Sequence, residues 1–456
     1  MGRLSKVLIA NRGEIACRVI AGCRKRGLRT VAVYSEADAQ TLHVALADEA
    51  VAIGPAPAKV SYLAGDVILA AARQTGADAI HPGYGFLSEN AAFAAAVEAA
   101  GLVWIGPAPR SIADMGDKER ARRLAKAAGV PVLEGSRRFT GESLDGLAAA
   151  ADAVGYPLLV KAAAGGGGIG MRLVATPDKL EETVRSTGAM AQRAFGDGSV
   201  YLENFVEPAR HIEIQVFGNG LGRAVHLFER ECSIQRRFQK IVEESPAPGL
   251  SGAVRERMAA AAVALAARER YRGAGTVEFV MDDAGNFHFL EMNTRIQVEH
   301  PVTEMITGRD LVEMQIRLAQ GESLDEVTQD AIAATGHAIE CRIYAENPAK
   351  NFLPSPGILT EFAAPATGPD VRFDTGLRQG DAVTIHYDPM IAKLIVRGAD
   401  RKASLARLDE ALAALRIAGV ATNISFLRRL LAQAAFQAGE ISTRFVDAHM
   451  AELAAG

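Results

Sequence analysis

From Glu291 to Glu299 every second side chain is charged or an amide (Glu291, Asn293, Arg295, Gln297, Glu299), and the residues between are Met, Thr, Ile and Val. A period of two belongs to an extended strand, which sends alternate side chains to opposite faces. A helix would also gather Glu291, Arg295 and Glu299 but would turn Asn293 away. The preceding run His288-Phe289-Leu290 favours the strand, at least as far as Asn293. One face then carries carboxylates, a guanidinium and amides in a row, which by itself describes a solvated edge strand.

The segment upstream argues for more than that. Thr276–Met281 reads as a strand, Asp283-Ala-Gly-Asn286 as a turn and Phe287–Met292 as the return strand. A hairpin centred between Ala284 and Gly285 sets Glu278 directly across from Glu291. Like charges facing each other in a sheet destabilise it. A divalent cation removes that cost, because carboxylate and amide oxygens are the donors that Mg²⁺ and Mn²⁺ prefer. Glu278, Glu291 and Asn293 are therefore the expected metal-binding group, placed to bridge nucleotide phosphates.

A chain of 456 residues exceeds one ordinary core, so two or three domains are expected. A net charge of −4 leaves no basic footprint for nucleic acid. Cys17, Cys23, Cys232 and Cys341 form no CxxC pair and read as buried, reduced thiols. Met1 runs straight into a strand without a signal-like segment, and no apolar run approaches a membrane span, so a cytoplasmic protein is expected.

Three parts follow one another. In the first, strands Lys6–Ala10, Thr30–Tyr34, Asp78–Ile80 and Val103–Ile105 alternate with helices, the first from about Ile15 to Arg26. This is the pattern of a doubly wound α/β unit, with His81-Pro-Gly-Tyr-Gly at a strand end where such sheets bind ligands. The second opens near Asp117-Lys118. Its strand Pro157–Lys161 leads into Gly165-Gly-Gly-Gly168, either a flexible linker or a loop whose amides approach phosphate. No GxxxxGK[ST] sequence occurs, which excludes a P-loop. Glu229–Lys240 is densely charged and on composition alone fits a solvated loop. The third part begins near Ala333 and holds the strand-like Ala338–Ile343 and a helix from Lys402 to Leu415.

The segment Glu291-Met-Asn-Thr-Arg-Ile-Gln-Val-Glu-His-Pro-Val-Thr-Glu304 resembles the signature of biotin carboxylases, within the ATP-grasp superfamily. Ala10-Asn-Arg-Gly-Glu-Ile-Ala16, His81-Pro-Gly-Tyr-Gly-Phe-Leu-Ser-Glu-Asn90, Gln235-Arg-Arg237, Gly336-His-Ala-Ile-Glu-Cys-Arg-Ile343 and Tyr387-Asp-Pro-Met390 are similar to the same family in the same order. The resemblance implies an α/β fold: an N-terminal doubly wound domain (1–115), an ATP-grasp domain (116–325) with a mobile glycine-rich lid (about 132–205), and a C-terminal α+β domain (333–450).

It also implies roles. ATP would be met by Lys118, Lys161, Gly167, Gly168, Glu203, Asn204, Phe205, Val206, His211, Gln235, Glu278 and Glu291. Bicarbonate would be held by Lys240, Arg295, Gln297 and Val298, and biotin by Arg342. Glu299 is the expected general base, its pKa raised in an anionic pocket. Two positions depart from the family: Ile169 stands where Lys or Arg commonly closes the glycine run, and Phe238 where His is common. Altered ATP affinity or lid behaviour is expected from them, with the metal and bicarbonate residues untouched. No Ala-Met-Lys-Met segment for biotin attachment occurs, so biotin is expected on a separate carrier protein or on a portion not included. A carboxyltransferase partner and a homodimer are implied by resemblance alone. The alternatives are another ATP-grasp carboxylate–amine ligase and a noncatalytic nucleotide-binding subunit.

Overall fold

The apolar runs that open the chain build a parallel sheet. In the computed structural model, which describes residues 4–140, 143–163 and 170–454, strands β1 (Lys6–Ile9), β2 (Arg29–Tyr34), β3 (Glu49–Ala52), β4 (Ala79–His81) and β5 (Val103–Trp104) lie in the order β3-β2-β1-β4-β5. All four pairings are parallel. The strand order reverses between β1 and β4, where such sheets open a crevice at their carboxyl ends. The loops meet there: Asn11 Nδ2 donates to the carbonyls of Pro82 and Tyr84, each at 2.7 Å. Gly83 sits at φ 62°, and a Cβ on it would stand 2.8 Å from the Asn11 amide nitrogen.

Strands β6 (Leu158–Ala162), β7 (Met171–Val174) and β8 (Val200–Asn204) form a small antiparallel sheet in the order β7-β6-β8. With the helices Leu147–Val154 and Leu180–Phe195 it encloses its own core of Phe139, Val160, Val184 and Leu202 among others. The glycines Gly165 to Gly168 and Ile169 lie outside the described residues, so the expectations for Gly167, Gly168 and Ile169 stay with the sequence.

The largest sheet is antiparallel and eight-stranded. It contains β9 (Arg210–Asn219), β10 (Ala224–Arg236), β11 (Gln239–Ser245), β12 (Arg272–Met281), β13 (Phe287–Asn293), β14 (His337–Tyr344), β15 (Val371–Thr375) and β16 (Met390–Gly398). Their order is β13-β12-β9-β10-β11-β14-β16-β15. The C-terminal strands thus extend the central sheet, β14 pairing with β11 over Val242↔Cys341 to Ser245↔Ala338. Ile234, Ile241 and Val242 share one core with Ile343, Leu394, Leu408 and Phe426.

Two readings of local structure are corrected. The period-two segment is a strand only to Asn293; residues 294–299 form a loop that feeds the helix His300–Thr307, with Pro301 in its first turn, where a missing N–H costs nothing. Glu229 to Lys240 is no solvated loop but the ends of two buried strands, joined at Arg237-Phe238.

Candidate functional site

The β12–β13 hairpin brings Glu278 opposite Glu291 and Thr276 opposite Asn293. The route differs from a regular hairpin. Asp282 closes the turn on Asn286 and Phe279 faces Phe289, so the turn is centred on Ala284. Leu290 is the extra residue of a bulge, and it restores the Glu278–Glu291 pairing. On the other side of β12, Glu213 of β9 is the partner of Glu278.

Lys240 sits at the centre of this acidic group. Its Nζ donates to Glu213 Oε2 (2.6 Å), Glu278 Oε1 (3.0 Å) and Glu299 Oε1 (2.7 Å). Burial alone would lower its pKa, but Glu213, Glu278 and Glu299 raise it well above the ordinary lysine value. Glu299 Oε2 accepts from Arg342 Nη2 at 2.9 Å, which links Lys240 to Arg342 through one carboxylate. Burial pushes Glu299 up, yet Lys240, Arg342 and Arg230 outweigh it and hold the carboxyl well below its usual range. The expectation of a raised pKa is therefore reversed: the pocket around Glu299 is cationic, not anionic.

The metal expectation fits the donor chemistry only in part. Burial and the facing Glu278 raise the pKa of Glu291, so this pair lacks positive charge, and its hard oxygens suit Mg²⁺ or Mn²⁺. Glu278, by contrast, is held well below the usual range; burial opposes this, but Lys240 and His211 prevail. His211 Nε2 lies 3.1 Å from Glu278 Oε2, and Gln235 Nε2 lies 2.8 Å from His211 Nδ1. Asn293 gives its amide nitrogen to Glu278 Oε1 (2.9 Å) and its oxygen accepts from Arg295 (2.8 Å). That oxygen is therefore turned away from the Glu278–Glu291 pair.

Arg295 extends toward the first sheet, where its Nε donates to Glu89 Oε2 at 2.9 Å. Gln297 Nε2 donates to Glu278 Oε1 (2.9 Å), and the Val298 carbonyl accepts from Lys393 Nζ (2.8 Å). The nucleotide-side residues form a second group. Lys161 Nζ lies 2.5 Å from Glu203 Oε2, both buried, and Glu203 with Tyr201 raises the lysine pKa against its desolvation. Lys118, at the start of the helix Lys118–Ala127, has its pKa lowered by burial, with Glu291 opposing. Asn204 Nδ2 donates to the Val154 carbonyl (3.2 Å), while Phe205 and Val206 are half-buried just beyond β8.

Sequence reasoning missed the residue that organises the group. Arg230 is fully buried and donates to Glu213 (2.5 Å), Gln215 (2.6 Å), Thr303 (2.9 Å), Thr276 (3.1 Å) and Gln297 (2.6 Å). A signal was available: His211, Glu213 and Gln215 alternate with apolar residues, which commits three polar side chains to one face that needs a donor.

Comparison with known proteins agrees across the chain. Family models match at residues 3–112 (biotin carboxylase, N-terminal domain), 117–327 (carbamoyl-phosphate synthase L chain, ATP binding domain) and 340–448 (biotin carboxylase C-terminal domain). The mitochondrial methylcrotonoyl-CoA carboxylase subunit alpha of Rattus norvegicus is 51% identical over 99% of the chain, which spans only 63% of that relative's length. Biotin carboxylase 1 of Bacillus subtilis is 48% identical, over 98% of this chain and 99% of its own. The biotin carboxylase domain dimer of Hydrogenobacter thermophilus 2-oxoglutarate carboxylase, solved with MgADP, ADP and bicarbonate, superposes with a TM-score of 0.95 at 42% identity, all of both chains covered. The biotin carboxylase of Campylobacter jejuni superposes at 0.94, also at 42% identity, over 98% of this chain and 99% of that one.

Proposed function

The chain belongs to the biotin carboxylase family, and from that footing we propose that it carboxylates biotin with ATP and bicarbonate, giving carboxybiotin, ADP and phosphate. The observation that carries this reading is the single carboxylate, Glu299, held between Lys240 and Arg342 beside the Glu278–Glu291 pair. Nucleotide, bicarbonate and biotin each need a fixed charge, and here those charges stand side by side.

Phosphoryl transfer asks for positioning and charge compensation more than for covalent help. Glu278 and Glu291 would hold Mg²⁺ or Mn²⁺, joined by Asn293 once its amide turns, and the bound cation would neutralise phosphate charge. Lys118, Lys161, Glu203, Asn204, Phe205, Val206, His211 and Gln235, with Gly167 and Gly168, take the nucleotide. Bicarbonate occupies the donors of Lys240, Arg295, Gln297 and the backbone at Val298, Arg295 offering the planar fork that suits a carboxylate. Bicarbonate oxygen attacks the γ-phosphorus, ADP leaves, and carboxyphosphate forms.

Glu299 takes the bicarbonate proton. A carboxylate saturated by two cations is a weak base, so its basicity depends on the substrate. When the bicarbonate anion draws on Lys240 and Arg295, Glu299 loses part of its compensation and its pKa rises. Carboxyphosphate releases CO₂ near biotin N1′, and Arg342 stabilises the oxyanion of the biotin enolate. Biotin is carried by a separate carrier protein or domain, with a carboxyltransferase partner downstream in an acyl-CoA carboxylase and this component as a homodimer.

The test is ADP release from Mg²⁺-ATP with bicarbonate and free biotin each present or withheld. Turnover that biotin stimulates and bicarbonate permits supports the assignment. Turnover indifferent to biotin but dependent on another amine or carboxylate would sink it in favour of a different ATP-grasp ligase. ATP binding without any turnover, carrier included, would mark a noncatalytic subunit.

A further inference from the structure

Behind Arg342 lie two carboxyl groups that bind neither nucleotide nor bicarbonate in the reading above. Glu243 on β11 and Glu340 on β14 stand directly opposite each other. Both are 0% exposed, and none of their four oxygens receives a hydrogen bond. Glu243 Oε1 lies 2.5 Å from Arg342 Nη2, an ion pair without hydrogen-bond alignment, and the same nitrogen meets Glu299 Oε2 at 2.9 Å. Glu340 is two residues from Arg342 on the same strand and so shares its face.

The cations facing this pair are already committed. Lys240 serves Glu213, Glu278 and Glu299. Lys393, opposite Arg342 on β16, is 3.2 Å from Glu14 and donates to the Val298 carbonyl. The helix His300–Thr307 brings apolar Val302 and Ile306 to Ala338 and Ile395. Two facing carboxylates with no donor repel each other, and in a dry interior a retained proton relieves the repulsion. Burial pushes Glu243 up to about 7 against the pull of Arg342, and pushes Glu340 well above the carboxylate range against Lys393.

We propose that Glu243 and Glu340 hold one proton between them and act together as positioning residues for Arg342. The inference rests on Arg342 meeting biotin. The single negative charge of the pair anchors the guanidinium from behind. The retained proton withholds the second charge, so Arg342 keeps a net positive field for the oxyanion that forms on biotin. After Glu299 has accepted the bicarbonate proton, Glu243 is the one carboxylate left against Arg342. A doubly ionised pair would cancel the guanidinium, and an uncharged pair would leave it tied to Glu299.

Infrared difference spectra of the intact protein, wild type against Glu340→Gln and against Glu243→Gln, in H₂O and D₂O at about pH 7, read the proton directly. The expected result is a deuterium-sensitive band of a protonated carboxyl group that either substitution removes or shifts. In parallel, Glu243→Gln lowers kcat/KM for free biotin by about tenfold or more, while ADP binds within about twofold of wild type. A merely structural carboxylate would move neither the band nor the biotin term alone. If Glu243→Gln fails to bind ADP, Glu243→Asp, which keeps the charge at shorter reach, replaces it in the same assay. A band unaltered by both substitutions overturns the proposal, as does wild-type kcat/KM for biotin in the Glu243 variant. Should the wild type release ADP without any response to biotin, the functional reading fails, and the infrared band alone decides whether the proton is shared.

Discussion

At the scale of single residues, what the sequence conveyed was which side chains meet and not what charge surrounds them. The pairing of Glu278 with Glu291 is legible because a hairpin is local, its partners thirteen positions apart. The environment of Glu299 is set by Lys240 and Arg342, fifty-nine and forty-three positions away, so no local pattern announces that its pocket is cationic. Two outcomes follow from the geometry. Replacing Glu299 by Gln removes the proton acceptor but keeps the shape; biotin-dependent ADP release falls by about 10²- to 10⁴-fold, while ADP affinity measured by calorimetry stays near wild type. Replacing Glu291 by Gln removes one carboxylate of a pair whose mutual repulsion a divalent cation relieves. The affinity for ADP in the presence of Mg²⁺ then drops by about tenfold, with affinity in the presence of a chelator unchanged. Equal loss in both conditions would place Glu291 on the nucleotide itself.

Among the elements, the β10–β11 hairpin carries Gln235 on one arm and Lys240 on the other, so its turn sets the spacing of two proposed ligands. The turn is made by Arg237 at φ 50° and Phe238 at φ 67°, a left-handed conformation that two-residue hairpins require and that side chains other than Gly and Asn resist. Composition suggested a loop here because the segment holds so many charges. The strands form because those charges are consumed in pairs, Arg230 by Glu213 and Arg236 by Glu346 at 2.7 Å. Phe238 is 56% exposed, so its ring contributes little to any core. Arg237→Asn combined with Phe238→Gly therefore relieves the turn and stabilises the protein by about 1 kcal/mol, read as a higher urea midpoint with an unchanged slope. A lower midpoint would show that the Phe238 ring packs in solution.

For the whole molecule, the three segments matched by family models are not three separable bodies. β14 to β16 complete the sheet begun by β9 to β13, and one buried carboxylate joins all three segments. Glu304 accepts from Arg18 of the first segment at 2.9 Å, from Arg372 of the last at 2.6 Å and from the Leu311 amide of its own at 2.8 Å. The division of the chain near Ala333 is visible in sequence, but this joint is not, because its partners are brought together only by the finished fold. Burial alone would raise the Glu304 pKa; Arg18 and Arg372 overcome it and hold the carboxyl below its usual value. A carboxylate depressed in the folded state stabilises it fully above the ordinary carboxylate pKa, and that contribution drains away as pH falls through the folded value. Removing one partner of a buried pair strands the others, at a cost of about 3 kcal/mol. Glu304→Gln is accordingly expected to lower Tm at neutral pH, and the gap to wild type to narrow as pH falls below about 4, where the wild-type carboxylate begins to protonate. Thermal scans of both proteins across that range check it; a gap that stays constant would mean that the charge of Glu304 adds nothing to the joint and that its shape alone holds the segments together.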